Sequence, residues 1–288
     1  MLKRIGCPLL MVAALGACAM RISERNIVIP RSGTLVPAGA SADGVWSAER
    51  LELVRGDNAV LRGVLFRRAG AAATVLYFGG NGFVLSLHQD QLLETYRELP
   101  VDIAVFDHRG YGASSGEATL ENLYGDGVAI YDHLRALPAV SARPLIVHGH
   151  SLGSFTAGQV ASQRQLDGLV LESSATTTAE WLSGRAGAFA SLVKPLAWLA
   201  VDPQLRRQGN ATIAKRLDEP TLFVVGERDE VTQPAMARAL YRAAPLPESD
   251  KRLTIVPTAT HMDAARSDAY RNGFSWLLVA AVRVDKAP

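Results

Sequence analysis

Cysteine is nearly missing from this sequence. The 288 residues contain two, Cys7 and Cys18, both within the first eighteen positions. The rest of the chain therefore forms no disulfide and no thiolate zinc site. An excess of charge is missing too: 30 basic residues against 28 acidic ones give a formal net charge of +2. With no basic tract, nothing points to nucleic acid as a partner. There is no internal repeat, no Walker-type loop and no G-x-G-x-x-G loop to cradle phosphate. No apolar run comfortably reaches the ~20 residues that span a bilayer. What is present is apolar bulk, 48% of the chain, enough to bury one large α/β core or two small ones.

The first twenty residues, MLKRIGCPLLMVAALGACAM, combine a basic start (Lys3, Arg4) with a short apolar run. That is the pattern of a secretory signal. Leu15-Gly16-Ala17-Cys18 resembles a bacterial lipobox, which implies cleavage before Cys18 and lipid on that cysteine. An ordinary secretory cut after Ala19 also fits the small-x-small rule. Ala19 rather than Asp after the cysteine implies, by analogy with bacterial lipoproteins, the periplasmic face of the outer membrane. The expected division is a signal peptide at 1–17, a lipidated N-terminus and tether at 18–45, and a folded domain at 46–288. The tether is expected because Pro30, Gly33, Pro37, Gly39 and Gly44 punctuate it.

Within the domain, apolar and polar residues alternate on both sides of Gly56-Asp57-Asn58, a hairpin signal. Short, almost wholly apolar runs follow at Thr74–Phe78, Val101–Phe106, Leu145–His148, Leu169–Leu171, Thr221–Val225 and Leu253–Val256. Such runs suit strands buried on both faces of a parallel sheet. Helical spacing fills the gaps, as in Leu120, Leu123, Tyr124, Val128, Tyr131 and Leu134, and in Ser151–Ser162, Pro234–Ala243 and Asp263–Val282. Strands alternating with helices predict an open α/β sheet with ligands at the carboxyl ends of its strands. The stretch 173–218 breaks the alternation and is read as a small cap. Phe189, Leu192, Val193 and Leu196 share one helical face there, with Trp198 and Leu199 beyond it. Two ordinary crossover helices would serve equally well.

The run Leu145–His148 leads straight into Gly149-His150-Ser151-Leu152-Gly153. A serine between glycines, after a strand and before a helix, fits the G-x-S-x-G nucleophile elbow, whose strained turn lifts the hydroxyl above the sheet. Serine needs a base, and the base an orienting carboxylate, in the chain order Ser, acid, His. The turn after Thr221–Val225 carries Glu227 and Asp229, and the turn after Leu253–Val256 carries His261. Asp229 is the expected acid, with Glu227 second and Glu172 third, and His261 is the base. His88 and His108 are placed in loops, His133 in a helix, and His148 and His150 beside the elbow, all in structural or solvated roles. The expected oxyanion donors are the backbone amides of Leu152 and of Asn81 in the Gly79-Gly80-Asn81-Gly82 loop.

With these pieces in place, the chain resembles the α/β-hydrolases, in particular the lid-poor branches that include depalmitoylase-like and serine-aminopeptidase-like enzymes. The resemblance rests on Phe78–Gly82, Asp107–Gly116, the elbow, Gly226–Asp229 and His261, and covers roughly Leu51 to Trp276. It implies a mostly parallel eight-stranded sheet flanked by helices with a small cap. It also implies hydrolysis of a carboxylic ester, possibly a thioester, in a small acyl or lipid-like substrate through an acyl-enzyme, a mechanism that needs no metal or organic cofactor. A serine peptidase or amidase of the same fold, and an envelope lipoprotein that merely binds an acyl ligand, are the alternatives. Gly79 departs from the pattern, since many relatives carry His there. The Asp107–Gly116 loop is expected to be structural.

Overall fold

The computed structural model describes residues 20–40, 44–182 and 199–284. The strands are β1 (Met20–Ile22), β2 (Gly39–Ala40), β3 (Ser47–Val54), β4 (Val60–Arg67), β5 (Ala73–Phe78), β6 (Val101–Phe106), β7 (Leu145–His150), β8 (Gly168–Glu172), β9 (Leu199–Val201), β10 (Thr221–Gly226) and β11 (Lys251–Val256). The helices are α1 (Leu85–Tyr96), α2 (Leu120–Ala136), α3 (Pro138–Ser141), α4 (Leu152–Ala161), α5 (Pro203–Arg206), α6 (Pro234–Ala243) and α7 (Asp268–Val284). The main sheet runs β11-β10-β8-β7-β5-β6-β4-β3-β2; a separate parallel pair joins β1 to β9. From β11 to β6 neighbours are parallel, and β4, β3 and β2 are antiparallel. Eight strands form the expected sheet, and the two-residue β2 extends its edge.

Alternation along the strands feeds two cores. Leu76, Leu145 and Val147 face α2, α4 and α6 through Val128, Leu134, Val160 and Leu240. Val75, Ile146 and Val224 face α1 and α7 through Leu92, Tyr96, Phe274 and Leu277. Both faces are covered, so these strands read as continuous apolar runs. The chain passes from β5 outward to β6, then crosses back to place β7 on the other side of β5. That reversal leaves a crevice beyond the carboxyl ends of β5 and β7, where an open α/β sheet binds its ligand.

The expected tether takes a different form. From Met20 the described chain lies on the domain. Ile22, Ile27, Val28 and Val36 are buried, and Arg31 and Gly33 pair with Gly112 through backbone hydrogen bonds of 2.7 and 3.1 Å. A linker that carries well-spaced apolar residues gains more by burying them than by staying solvated. Within the expected cap, 183–198 and the face of Phe189, Leu192, Val193 and Leu196 with Trp198 lie outside the described residues, as does Cys18. His88 sits within α1 rather than in a loop. Among the described residues no helix is long and apolar enough to cross a membrane.

One carboxyl is misplaced for neutral pH. Glu219, just before β10, is 3% exposed, and its Oε1 has no hydrogen-bond partner among the described residues. Burial pushes its pKa up to about 8. A raised folded-state pKa favours the fold below the unfolded value and withdraws that support as pH rises through 8. Glu219→Gln mimics the protonated acid. It should leave the melting temperature nearly unchanged at pH 5 and raise it by several degrees at pH 8 (on the order of 1–3 kcal/mol). Equal shifts at both pH values would show that the carboxyl is ionised without cost.

Candidate active site

The site begins with backbone strain. Ser151 joins β7 to α4 at φ 53° and ψ −117°, a conformation rarely adopted by side chains other than glycine. Its glycine neighbours permit it. A Cβ on Gly149 would strike the Gly153 carbonyl and Ser154 Cα, and one on Gly153 would strike the Phe78 carbonyl at the end of β5. The Ser151 N–H donates to the Glu172 carbonyl at 3.0 Å, tying the turn to β8. The serine thus stands at the positive end of α4, above the crevice.

Ser151 Oγ donates to His261 Nε2 at 2.9 Å, and His261 Nδ1 donates to Asp229 Oδ2 at 2.9 Å. The proton belongs on Nδ1 because that nitrogen faces a carboxylate. Asp229 is held from its other side: Oδ1 accepts the Val231 and Thr232 amides, each at 2.8 Å, and Oδ2 accepts the Thr232 hydroxyl at 2.8 Å. Burial raises the Asp229 pKa, but hydrogen bonds and charge attraction from His261, with those from Thr232, outweigh it and leave the carboxyl below its ordinary value. The residue is an anion aimed at the imidazole.

The structure brings Ser151, His261 and Asp229 into one chain of contacts and leaves the other two carboxylate candidates out of it. Glu227 is exposed, on the turn two residues before Asp229. Glu172 is buried behind the serine, where its oxygens take the Ala265 amide at 3.1 Å and His148 Nε2 at 3.0 Å. Burial raises the Glu172 pKa, while the nearby His150 and the bonded His148 lower it further, so the net shift is downward. His148 bonds Tyr96 and Tyr270 through Nδ1. Glu172 thus braces the serine turn through its carbonyl and the His261 loop through its carboxylate. Sequence reasoning missed this role, and also those of Thr232 and of His150, whose Nε2 donates to the His261 carbonyl at 2.9 Å. A glutamate ending an apolar strand was the available signal.

Asn81 and Leu152 both line a cavity with Ser151. The Asn81 side chain faces away from the chemistry: its Oδ1 accepts the Ile29 amide at 3.0 Å and the Tyr111 hydroxyl at 2.9 Å. The Asn81 amide has no acceptor among the described residues. That of Leu152, in the first turn of α4, has no partner inside its helix. Gly80 lets the loop approach, since a Cβ there would lie 3.3 Å from Ser151 Cβ and 2.9 Å from His150 Nδ1. At Gly79 a Cβ would run into the Phe83 ring, and the Gly79 carbonyl accepts His108 Nε2–H at 2.8 Å. The space of a histidine at this position is taken by Phe83, with His88 stacked on it at 5.2 Å.

The Asp107–Gly116 loop is a brace. Asp107 accepts the Leu85 and Ala113 amides at 2.7 and 2.9 Å, and Arg109 forms a buried pair with Asp126 at 2.8 Å. A larger hollow of about 1220 Å³ lies between the N-terminal segment, the start of α2 and α5. Among the described residues no histidine or cysteine lines it.

This sheet order and crevice define the class of fold: the chain has the α/β-hydrolase fold. The family described as serine aminopeptidase, S33, matches residues 82–211, which include Ser151 and stop before Asp229 and His261. The chain is similar to protein bem46 of Schizosaccharomyces pombe, at 25% identity over 77% of this chain and 73% of that protein. It is also similar to alpha/beta hydrolase domain-containing protein 17C of Xenopus tropicalis, at 26% identity over 80% of this chain and 67% of that protein. Among solved structures, the esterase Pf2001 of Pyrococcus furiosus superposes with a TM-score of 0.64 at 17% identity, covering 89% of this chain and 98% of that one.

Proposed function

We propose that this chain is a serine hydrolase that cleaves carboxylic esters. Ser151 attacks the acyl carbonyl, His261 takes its proton and passes it to the leaving group, and Asp229 holds the imidazole. The amides of Asn81 and Leu152 bind the oxyanion, and water releases the acyl group from Ser151. The observation that carries this reading is the Ser151–His261–Asp229 chain of contacts, with the serine held at positive φ. Esters rank ahead of amides because an alkoxide leaves with less help from protonation than an amide nitrogen, and thioesters stand second. The serine aminopeptidase description supports peptide or amide cleavage as the second reading. The test is turnover of p-nitrophenyl esters by the purified full chain, together with covalent labelling by a fluorophosphonate. Absence of both would favour a non-catalytic acyl-binding protein.

The N-terminal pattern supports a place for this activity: lipid-anchored through Cys18 in a bacterial envelope, on the periplasmic face of the outer membrane. Cys18→Ser should move the protein out of the membrane fraction or leave it unprocessed, while the wild type carries a diacylglycerol mass on its first residue. An unlipidated wild type beginning at Met20 would instead mark the ordinary secretory cut after Ala19.

A further inference from the structure

Ser151 stands between two cavities of unequal size. The larger, about 440 Å³, is lined by His261, Met262 and Arg266 together with Tyr77 and Phe83. The smaller, about 50 Å³, is lined by Ile27, Leu152, Phe155, Ala175, Trp181 and Thr232. Asn81, Ser151 and Trp181 border both. In acyl transfer the leaving group must lie where the base can return a proton to it. His261 lines only the larger cavity, so the leaving group belongs there and the acyl chain in the smaller one.

One wall of the acyl cavity comes from outside the sheet and its helices. Ile27 is 5% exposed and packs in one cluster with Leu152, Phe155 and Ala175. Its segment is pinned on both sides. Glu24 accepts the Leu120 amide, the Ile29 amide donates to Asn81 Oδ1 at 3.0 Å, and the Arg31 carbonyl accepts the Gly112 amide at 2.7 Å. Further along the same segment, Arg31 reaches the larger cavity. The N-terminal stretch therefore touches both halves of the crevice, and its hold on Asn81 fixes the loop that faces the serine.

We infer that the N-terminal segment is part of the substrate site. Ile27 walls the acyl cavity, so that the substrate is an ester with a short acyl group, roughly two to four carbons in this volume, and a much bulkier leaving group. This inference rests on the serine-hydrolase reading above. A small apolar pocket discriminates by about tenfold or more for each carbon it cannot accommodate.

The experiment measures kcat/KM of the full chain on p-nitrophenyl acetate, butyrate and octanoate. The wild type should be fastest on acetate or butyrate and fall by about tenfold or more on octanoate. Ile27→Ala, which removes three carbons from the wall, should raise the octanoate-to-acetate ratio by about tenfold or more, and Ile27→Trp should lower the butyrate-to-acetate ratio. A wild-type optimum at octanoate overturns the inference whatever the variants do. So does an unchanged ratio in Ile27→Ala protein whose melting transition shows it folded; if that variant does not fold, an unchanged ratio in Ile27→Val has the same force. If no ester of any length is cleaved and no fluorophosphonate label appears, the hydrolase reading falls and takes this one with it.

Discussion

Ser151→Ala should lower kcat on a p-nitrophenyl ester by on the order of 10³-fold or more, abolish fluorophosphonate labelling and leave the protein folded. The reasoning is local. The hydroxyl oxygen is the only atom removed, and its recorded contact is the 2.9 Å bond with His261. The turn itself is held by the Ser151 N–H on Glu172 and by the Ser151 carbonyl, which accepts the Ser154 amide at 2.9 Å and the Ser154 hydroxyl. Alanine retains all of these, and the strain at φ 53° is the same for either residue. KM should change little, because the oxyanion donors and both cavities survive. Unchanged turnover in the purified, folded variant would remove Ser151 from the mechanism.

The second large effect separates two neighbouring carboxylates. Asp229→Asn should cost about 10⁴-fold in kcat, while Glu227→Gln should stay within about threefold. The contacts explain the asymmetry. Oδ1 of Asp229 takes two backbone N–H donors, so an asparagine would keep its oxygen there and turn its NH₂ toward His261. Nδ1 would then have to accept, and the imidazole proton would move to Nε2, facing the serine it should deprotonate. Glu227 is exposed and outside the Ser151–His261 contacts, so its amide changes nothing the imidazole touches. The reverse ranking in kcat would transfer the acid role to Glu227.

Much of this site was legible in advance for a physical reason. A nucleophile elbow must carry glycines where two backbones nearly touch. The apolar runs on either side suit strands buried on both faces, and a carboxylate and a histidine ending later strands of one sheet must emerge at the same rim. The bracing groups were not legible. Glu172 was read as a third acid because a carboxylate near a serine looks the same whether it faces the imidazole or lies behind it. Thr232 and His150 carried no pattern of their own. The stretch 18–45 reads as a tether because its prolines and glycines outweigh the sparse Ile22, Ile27, Val28 and Val36, which have no helical or strand period.

By itself the sequence determined the α/β alternation, the position of the serine turn and the chain order of serine, carboxylate and histidine. These depend on local periodicity and on glycine at close approaches, properties that short stretches of chain carry alone. Only the tertiary structure decided which carboxylate meets the imidazole, which residues lock it there, and that the N-terminal segment walls the cavity beside Ser151. Those outcomes depend on contacts between residues far apart in the chain, such as Ile29 with Asn81 and Asp229 with His261. Contacts of that kind are set by how the strands are ordered across the sheet, and no periodicity along the chain encodes them.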